Sequence, residues 1–189
     1  METVERTIKE RPLAVFDFDG TLFRINVDWK AMYSALSDVG AMHGHVGRFG
    51  SLSEAHEWSG SVYRSRDRLI EVQSEIENSG IEGSVGIRNG IAAARWRLSG
   101  NLSCAILSLN TSSTVEALVG HWGFYPTVTI DKVHRLKPDT EGLDLILRTL
   151  KRTSGEAVFI GNSDMDRMCA KTRGVPFVHV DDIEEEWFR

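Results

Sequence analysis

Two aspartates, Asp17 and Asp19, are the residues of this chain best suited to carry out chemistry. They directly follow the apolar run of residues 13–16 and lie two positions apart. Because side chains alternate between the two faces of a strand, both carboxylates are predicted to point the same way. Gly20 and Thr21 then allow the chain to turn sharply away. Two unpaired, buried carboxylates would be costly, so the pattern implies a cation or a shared proton. Their predicted position at the carboxyl end of a strand suits chemistry on a ligand.

Three further polar clusters follow strand-like runs. Ser108 lies near the end of the run 102–109, and Asn110 directly follows that run. The chain then leads into a helix, where a hydroxyl and free backbone N–H groups suit a phosphate. Lys137 supplies a cation further along the chain. Residues 161–166 follow another run and offer the amide and carboxylate oxygens that a hard cation prefers. Because ligands bind at the carboxyl ends of parallel strands, we predict that these clusters meet at one edge of a sheet.

The elements that would position these clusters alternate between strand and helix. Short apolar or β-branched runs end in turn residues, and helical patterns separate most of them. Nearly continuous apolar strands indicate a parallel sheet covered on both faces, so we predict an α/β fold with a doubly wound, Rossmann-like five-stranded sheet. The predicted strands are residues 13–18, 102–109, 127–130, 157–160 and 177–180.

Two of the intervening helices have clear sequence signals. Ser113 and Glu116 form a capping-box pattern that predicts the start of a helix ending at Gly123. Asp164 to Arg173 is predicted to form another helix, which Gly174 ends. A helix is also expected soon after Pro138.

Residues 24–84 interrupt this alternation and are predicted to be an all-helical insertion. Ser51 and Glu54 form a second capping-box pattern, and Gly80 is the predicted end of the last helix. We therefore predict a core domain formed by residues 1–23 and 85–189, with the insertion as a helical cap. The first predicted helix of the insertion carries apolar residues at helical spacing, namely Trp29, Met32, Tyr33, Leu36 and Val39.

The insertion also contains an arginine-rich run at residues 64–68. Such a run is usually a solvated helix face, and the sharper alternative is an arginine that reaches an anionic group of a substrate. Trp29, Trp58 and Trp96 are expected to pack in the core or at the interface between the insertion and the core rather than to form a cofactor site.

Taken in order, the four polar clusters resemble the haloacid dehalogenase (HAD)-like superfamily, chiefly its magnesium-dependent phosphatases with a small helical cap. The Asp-x-Asp-Gly-Thr sequence at residues 17–21 matches the first motif of the family in full. Ser108 and Lys137 match two shorter motifs, and residues 161–166 match the fourth in part. The resemblance covers residues 11–23 and about 85–180.

The resemblance implies a role for each matching residue. Asp17 would be the nucleophile and Asp19 the general acid and base. Ser108 and Lys137 would complete the catalytic set and, with Asn110, bind the phosphoryl group. The implied cofactor is Mg²⁺, with metal ligands from Asp17, Asp19, Asn162 and Asp166, and Asp164 as a possible replacement.

Asn162 departs from the family pattern, which usually has an acid directly after this glycine. An amide oxygen can ligate a cation but carries no charge, so we expect weaker Mg²⁺ binding. Three interpretations remain open: an active enzyme with the Asn162 amide as ligand, an active enzyme that uses Asp164 instead, and a weakened site. The presence of Asp17, Asp19, Ser108 and Lys137 favours the first two.

The function implied is hydrolysis of a small phosphate monoester through an aspartyl-phosphate, as in an enzyme similar to phosphoglycolate phosphatases. One alternative is a phosphomutase similar to β-phosphoglucomutase, which would use the same residues but protect the aspartyl-phosphate from water. Another is a non-catalytic HAD-like binding protein with a weakened metal site, and Asn162 is its only support. The expected partner is a small phosphorylated metabolite.

Net charge, apolar runs and cysteine content bear on the binding partners and the compartment to be expected. The formal net charge of −5 argues against a nucleic-acid surface, and no apolar run approaches the roughly 20 residues of a membrane span. The polar N-terminal residues do not resemble a signal peptide. Cys104 and Cys169 are expected to be buried and reduced. We therefore expect a cytoplasmic protein that binds neither nucleic acid nor membrane.

Overall fold

The computed structural model describes residues 3–62 and 64–188. Its main sheet has the strand order β5-β4-β1-β6-β7, with every neighbouring pair parallel. This confirms the predicted parallel five-stranded sheet. The strands are β1 (Leu13–Phe16), β4 (Ser103–Leu107), β5 (Thr127–Val128), β6 (Ala157–Gly161) and β7 (Phe177–His179).

Helices cover both faces of this sheet. Alternate residues of β1 enter different apolar clusters, with Ala14 and Phe16 on one face and Leu13 and Val15 on the other. Both sets are fully buried, which explains the continuous apolar sequence of the strand. The helices of the core are α1 (Val4–Glu10), α5 (Arg88–Ser99), α6 (Ser112–Val119), α7 (Glu141–Thr149) and α8 (Asp164–Arg173).

The position of β1 in the sheet determines where a ligand can bind. Its neighbours are β4, which pairs Ala105 with Val15, and β6, which pairs Phe159 with Val15. The chain proceeds from β1 to β4 and β5 on one side and then returns to β6 and β7 on the other. The carboxyl end of β1 is therefore the point where the strand order reverses, and open α/β sheets bind ligands there.

Residues 24–84 contain the helices α2 (Trp29–Met42), α3 (Leu52–Ser59) and α4 (Ser65–Ser79). These helices share a separate apolar cluster that includes Met32, Leu36, Phe49 and Leu69. We call residues 24–84 the helical insertion. Its two ends meet in a short antiparallel pair, β2 (Phe23–Arg24) and β3 (Val85–Gly86), which the sequence did not predict because two-residue strands have no periodic signal.

The predicted start of α6 is wrong. The helix begins at Ser112 rather than after a Ser113 cap, and Gly120 rather than Gly123 ends it. The N-cap residue is Thr111, which makes no side-chain cap hydrogen bond because its hydroxyl contacts Glu77 of the helical insertion instead. A contact between segments distant in sequence has therefore overridden a local capping signal.

The expectation that both cysteines are buried is confirmed. Cys104 and Cys169 are buried and unpaired. Among the described residues, none of the helices combines the length and apolar character needed to cross a membrane.

Candidate active site

Asp17 and Asp19 lie where the chain leaves β1. Asp17 is the first residue after the strand and still receives a sheet hydrogen bond, from its N–H to the Ile160 carbonyl (2.9 Å). The turn that follows needs Gly20, whose φ of +84° is in the left-handed region that favours glycine. Thr21 then donates its hydroxyl hydrogen to Asp17 Oδ2 at 3.0 Å. The predicted acid pair therefore occupies a tight turn at the carboxyl edge of the central strand.

Lys137 pairs with Asp17 beneath the cavity. Its Nζ lies 2.6 Å from Asp17 Oδ1 and 2.6 Å from Asp166 Oδ1, and it also donates to the Leu107 carbonyl at 3.2 Å. Burial alone would lower the pKa of Lys137, but the two carboxylates together raise it above its ordinary value. This lysine is therefore a fixed positive charge.

Asp17 is held in an environment that disfavours its charge. Burial raises its pKa from 3.8 to about 6, and the nearby Asp166 carboxylate adds to the rise, although Lys137 opposes both. The carboxylates of Asp17 and Asp166 share the single ammonium of Lys137, so these three side chains together carry one excess negative charge. A bound cation would compensate that charge and favour the ionised form of Asp17.

Asp19 also has a raised pKa, chiefly because of burial. The backbone N–H of Ile25, which donates to Asp19 Oδ1 at 2.8 Å, opposes the rise, and the negative charge of Glu77 adds to it. A raised pKa increases the protonated fraction near neutral pH, and a protonated carboxyl can donate a proton.

Ser108 and Asn110 form a structured loop after β4. The Ser108 hydroxyl donates to Asn110 Oδ1 at 2.8 Å, and the Asn110 N–H donates to Ser108 Oγ at 3.0 Å. The Ser108 N–H donates to the Val128 carbonyl of β5 at 2.9 Å, which ties the loop to the sheet. Both side chains line the same cavity as Asp17 and Lys137.

Glu77 of α4 is a buried acid that sequence analysis missed. Its carboxylate is fully buried and accepts hydrogen bonds from Asn110 Nδ2 and from both the N–H and the hydroxyl of Thr111, each at 3.0 Å. Gln73 donates to Glu77 Oε1 at 2.7 Å and to the Leu109 carbonyl at 2.8 Å. The signal that could have found them is their spacing, because Gln73 and Glu77 continue the buried face of the helix begun by Leu69.

Asn162 closes the site opposite the acid pair. The amide of Asn162 directs one of its two terminal atoms, oxygen or nitrogen, toward the acid pair. This inward atom lies 3.2 Å from Asp17 Oδ2 and 3.3 Å from the Asp19 carbonyl oxygen. With the amide oxygen inward, three oxygens converge, and a hard cation fits that donor set. The Thr21 hydroxyl is then within hydrogen-bond distance of two of them, Asp17 Oδ2 (3.0 Å) and Asn162 Oδ1 (3.3 Å). With the nitrogen inward, the amide donates to both oxygens and takes the place of a cation.

The oxygens around this possible cation position are of different kinds, since they include carboxylate, main-chain carbonyl and amide oxygens. Among the described residues, no group of three or more His, Cys, Asp or Glu side chains is placed to hold a metal ion. A divalent cation would therefore rely on one carboxylate of Asp17, the main-chain oxygen of Asp19 and the Asn162 amide, with water for the other positions. The residues present fit Mg²⁺ in chemistry but offer it little charge.

The two acids of the fourth cluster, Asp164 and Asp166, have different surroundings. Asp166 is fully buried, and both its oxygens already accept hydrogen bonds, from Lys137 on one side and from the Ser163 N–H and hydroxyl on the other. Asp164 has a side chain that is 96% exposed, and its ion-pair partner is Arg167 at 3.9 Å. The structure thus brings Asp166 next to Lys137 and leaves Asp164 at the surface.

These groups surround one cavity of about 340 Å³ between the sheet edge and the helical insertion. Six of the residues predicted for the site line it: Asp17, Asp19, Ser108, Asn110, Lys137 and Asn162. Residues of the helical insertion form the opposite wall, which includes Trp29, Tyr33 and Leu52. The site is therefore a polar floor beneath an apolar, aromatic wall.

Fold and site together define a parallel α/β protein with paired carboxylates at the point where the strand order reverses. The family model for haloacid dehalogenase-like hydrolases matches residues 53–180, which is more than half of the chain. The chain therefore belongs to this family. The match includes Ser108, Lys137 and the 161–166 cluster, whereas Asp17 lies before it. No curated protein sequence matches the chain.

Solved structures with the same fold are distant in sequence. A putative phosphoglycolate phosphatase from Lactobacillus plantarum is 20% identical, with a TM-score of 0.63 over 93% of this chain and 90% of its own. CbbY from Rhodobacter sphaeroides, solved with phosphate, is 19% identical, with a TM-score of 0.64 over 89% and 85%. A putative haloacid dehalogenase-like hydrolase from Bacteroides fragilis is 22% identical, with a TM-score of 0.62 over 89% and 86%. At these identities the comparison shows a shared fold.

Proposed function

We propose that this protein is a Mg²⁺-dependent phosphatase that hydrolyses a small phosphate monoester. The observation that carries the proposal is the pairing of the Asp17 carboxylate with the Lys137 ammonium, 2.6 Å apart, at the floor of a cavity that also presents the Ser108 hydroxyl. A carboxylate nucleophile beside a fixed cation suits attack on an anionic phosphoryl group. The names of two structural neighbours, a phosphoglycolate phosphatase and a protein solved with phosphate, agree with this chemistry.

In the proposed reaction, an oxygen of ionised Asp17 attacks phosphorus in line with the leaving alcohol and forms an aspartyl-phosphate. Protonated Asp19 gives its proton to the leaving oxygen, and the resulting carboxylate then takes a proton from the water that hydrolyses the intermediate. The raised pKa of Asp19 supports the first of these steps.

Lys137 and Ser108 are proposed to hold the phosphoryl oxygens. The three donors of Lys137 are already used, and the longest of its bonds, to the Leu107 carbonyl at 3.2 Å, is the one that a phosphoryl oxygen would replace. A bound Mg²⁺, held by Asp17, the Asp19 carbonyl and the Asn162 amide, would neutralise phosphoryl charge. We propose a positioning role for Asp166, because both its oxygens already accept hydrogen bonds.

We also propose that residues 24–84 act as a cap over a core formed by residues 1–23 and 85–189. The aromatic wall contributed by the helical insertion limits the space above the acid pair and would exclude water during the reaction. A cavity of about 340 Å³ suits a small phosphorylated metabolite.

The test is phosphate release from p-nitrophenyl phosphate and a panel of phosphorylated metabolites, with and without Mg²⁺. We expect Mg²⁺-dependent release by the wild type and at least a thousandfold loss of kcat in Asp17→Asn. Asp38→Asn, which removes an exposed acid of α2, is the matched control and should retain activity. No release from any ester at millimolar Mg²⁺ would refute the proposal, and isomerisation of a sugar phosphate without release would point to a phosphomutase.

A non-catalytic binding protein is a second candidate, and one observation favours it. The Asn162 amide nitrogen can donate to both Asp17 and the Asp19 carbonyl, which would fill the cation position with a neutral group. That protein would show no rise in melting temperature on addition of Mg²⁺, whereas a metal-binding enzyme would.

A further inference from the structure

Among the described residues, the cavity wall that faces the acid pair offers no lysine or arginine side chain to neutralise a second negative charge on a substrate. Among the described residues that line this cavity, Lys137 is the one lysine or arginine, and Asp17 and Asp166 already pair with it. Glu77, behind the Ser108 loop, adds negative charge at this edge. A leaving group with its own carboxylate or phosphate would therefore meet net repulsion.

The arginines of α4 do not supply the missing charge in this arrangement. Arg66 donates to the carbonyl oxygens of Ile130 (2.8 Å) and Val133, and it does not line the cavity. Arg68 pairs with the exposed Glu71 on the outer face of the helix. The alternative in which one of these two arginines reaches an anionic substrate group is thus not favoured by the positions of their side chains.

The same wall offers an aromatic surface. Trp29 and Tyr33 lie one turn apart on α2, with ring centroids 5.9 Å apart and planes inclined by 30°. Trp29 is 38% exposed although it is a large apolar side chain, and both rings line the cavity. Leu52 and Met165 extend the apolar surface around them. A planar, uncharged group above the phosphoryl site would cover this surface and remove it from water.

We infer that the substrate is a phosphate monoester of an uncharged alcohol that carries an aromatic ring. The inference rests on the proposed phosphatase function and narrows its substrate class. Trp29 and Tyr33 would contact the ring, while Lys137 and Ser108 would hold the phosphoryl group. This preference differs from the one that the name of the Lactobacillus plantarum neighbour suggests, because phosphoglycolate carries a carboxylate as a second anionic group.

Arg24 is a cation that could bind a second anionic group of a substrate, which would favour a doubly anionic substrate instead. It is exposed and lines a neighbouring cavity of about 470 Å³ on the other side of Asp19 and Trp29, together with His179 and Asp181. A second anionic group that reached around Trp29 would find this cation. The experiment must therefore include a variant of this residue.

The experiment compares kcat/KM for three alkyl phosphates with Mg²⁺ present: benzyl phosphate, glycerol 3-phosphate and phosphoglycolate. Their leaving groups are all alcohols, so the comparison reports the aromatic ring and the charge rather than phenol reactivity. We expect benzyl phosphate to exceed phosphoglycolate by at least tenfold, with glycerol 3-phosphate between them.

Variants then assign the preference to residues. Trp29→Ala should lower kcat/KM for benzyl phosphate about tenfold, mainly through KM, and change glycerol 3-phosphate by less than twofold, while Trp29→Phe should retain most of the preference. Ser53→Lys, which adds a cation to the cavity wall, should raise kcat/KM for phosphoglycolate. Tyr125→Ala removes an exposed ring outside the cavity and is the control.

Two results would overturn the inference, and they differ from each other. Preference for phosphoglycolate over benzyl phosphate, lost in Arg24→Ala, would show that the substrate is doubly anionic while leaving the phosphatase function intact. No phosphate release from these esters or from p-nitrophenyl phosphate would remove the proposed function and the inference with it.

Discussion

At the residue scale, the surplus charge at Asp17 connects stability to function. The carboxylate is buried with a pKa raised to about 6, so at neutral pH it is ionised against the preference of its surroundings. Catalysis would need that ionised form, because a protonated carboxyl is a poor nucleophile. The site is thus expected to be less stable than an inactive version of itself.

Asp17→Asn tests this cost. At pH 7, without Mg²⁺, we expect the free energy of unfolding of the variant to be about 1 to 3 kcal/mol higher than that of the wild type. The folded pKa of Asp17 is above its unfolded value of 3.8, so the wild type loses stability as the pH rises from about 4 to about 6. The gain in stability should therefore be about two-thirds smaller at pH 4.5 than at pH 7, and an equal effect of the substitution at both pH values would contradict the interpretation.

We propose that Asn162 sets how strongly the site binds a cation. Asn162→Asp adds a second carboxylate, so we expect roughly tenfold tighter Mg²⁺ binding, measured by calorimetric titration, and a lower melting temperature without metal. Asp164→Asn should leave the Mg²⁺ affinity unchanged, because that side chain is 96% exposed. Weaker binding in Asp164→Asn together with no change in Asn162→Asp would make Asp164 the ligand.

At the scale of elements, α4 joins the helical insertion to the loop that is proposed to bind phosphate. Glu77 and Gln73 contact the loop at residues 109–111, and Arg66 contacts the carbonyl oxygens of Ile130 and Val133. These buried contacts anchor one helix of the insertion to the core along its length. If the insertion opens to admit substrate, we expect the motion in α2 and α3 rather than in α4.

Glu77→Gln tests the link between α4 and the loop. The change places an amide where Asn110 and Thr111 donate, so we expect a loss of about 1 to 3 kcal/mol of stability. Because Asn110 also orients Ser108, inhibition by inorganic phosphate should weaken several-fold. Glu75→Gln, an exposed change on the same helix, is the control. A loss of stability with unchanged phosphate inhibition would leave Glu77 a purely structural role.

At the scale of the whole molecule, two buried groups make stability depend on pH in opposite directions. Burial lowers the pKa of His56 from 6.5 to about 4, and its Nδ1 has no hydrogen-bond partner. The folded state therefore binds fewer protons at His56 than the unfolded chain, and stability falls as the pH drops from about 6.5 to 4. Asp17 acts in the opposite sense over nearly the same range.

Mutations can separate the opposite contributions of Asp17 and His56 to the pH dependence of stability. We expect Asp17→Asn to lose more stability than the wild type when the pH falls from 7 to 4.5, because His56 then acts without compensation. His56→Gln should reduce the loss, whereas His43→Gln, an exposed change, should not. Chemical denaturation at both pH values measures these differences, and identical pH dependence in all four proteins would contradict the assignment.

The parts of the molecule that could be predicted from sequence are those specified by local pattern. The buried run before Asp17 predicted β1 but not its central position, and the polar residues that follow the predicted strands indicated the candidate site. Glu77 and the Trp29 wall were not predicted as parts of the site, because their roles depend on how α2 and α4 pack on the core. Periodicity reports which face of a helix is buried and not what lies opposite it.

The most direct measurement concerns the bond that Asp17 is proposed to form. An Asp19→Asn variant should form the aspartyl-phosphate but hydrolyse it slowly, so acid quenching after incubation with Mg²⁺ and p-nitrophenyl phosphate should trap it. Mass spectrometry is expected to find one phosphoryl group on the peptide that contains Asp17, and none in Asp17→Asn. A wild-type protein that releases phosphate while the Asp19→Asn peptide stays unmodified, or is modified at another residue, would contradict the proposed nucleophile.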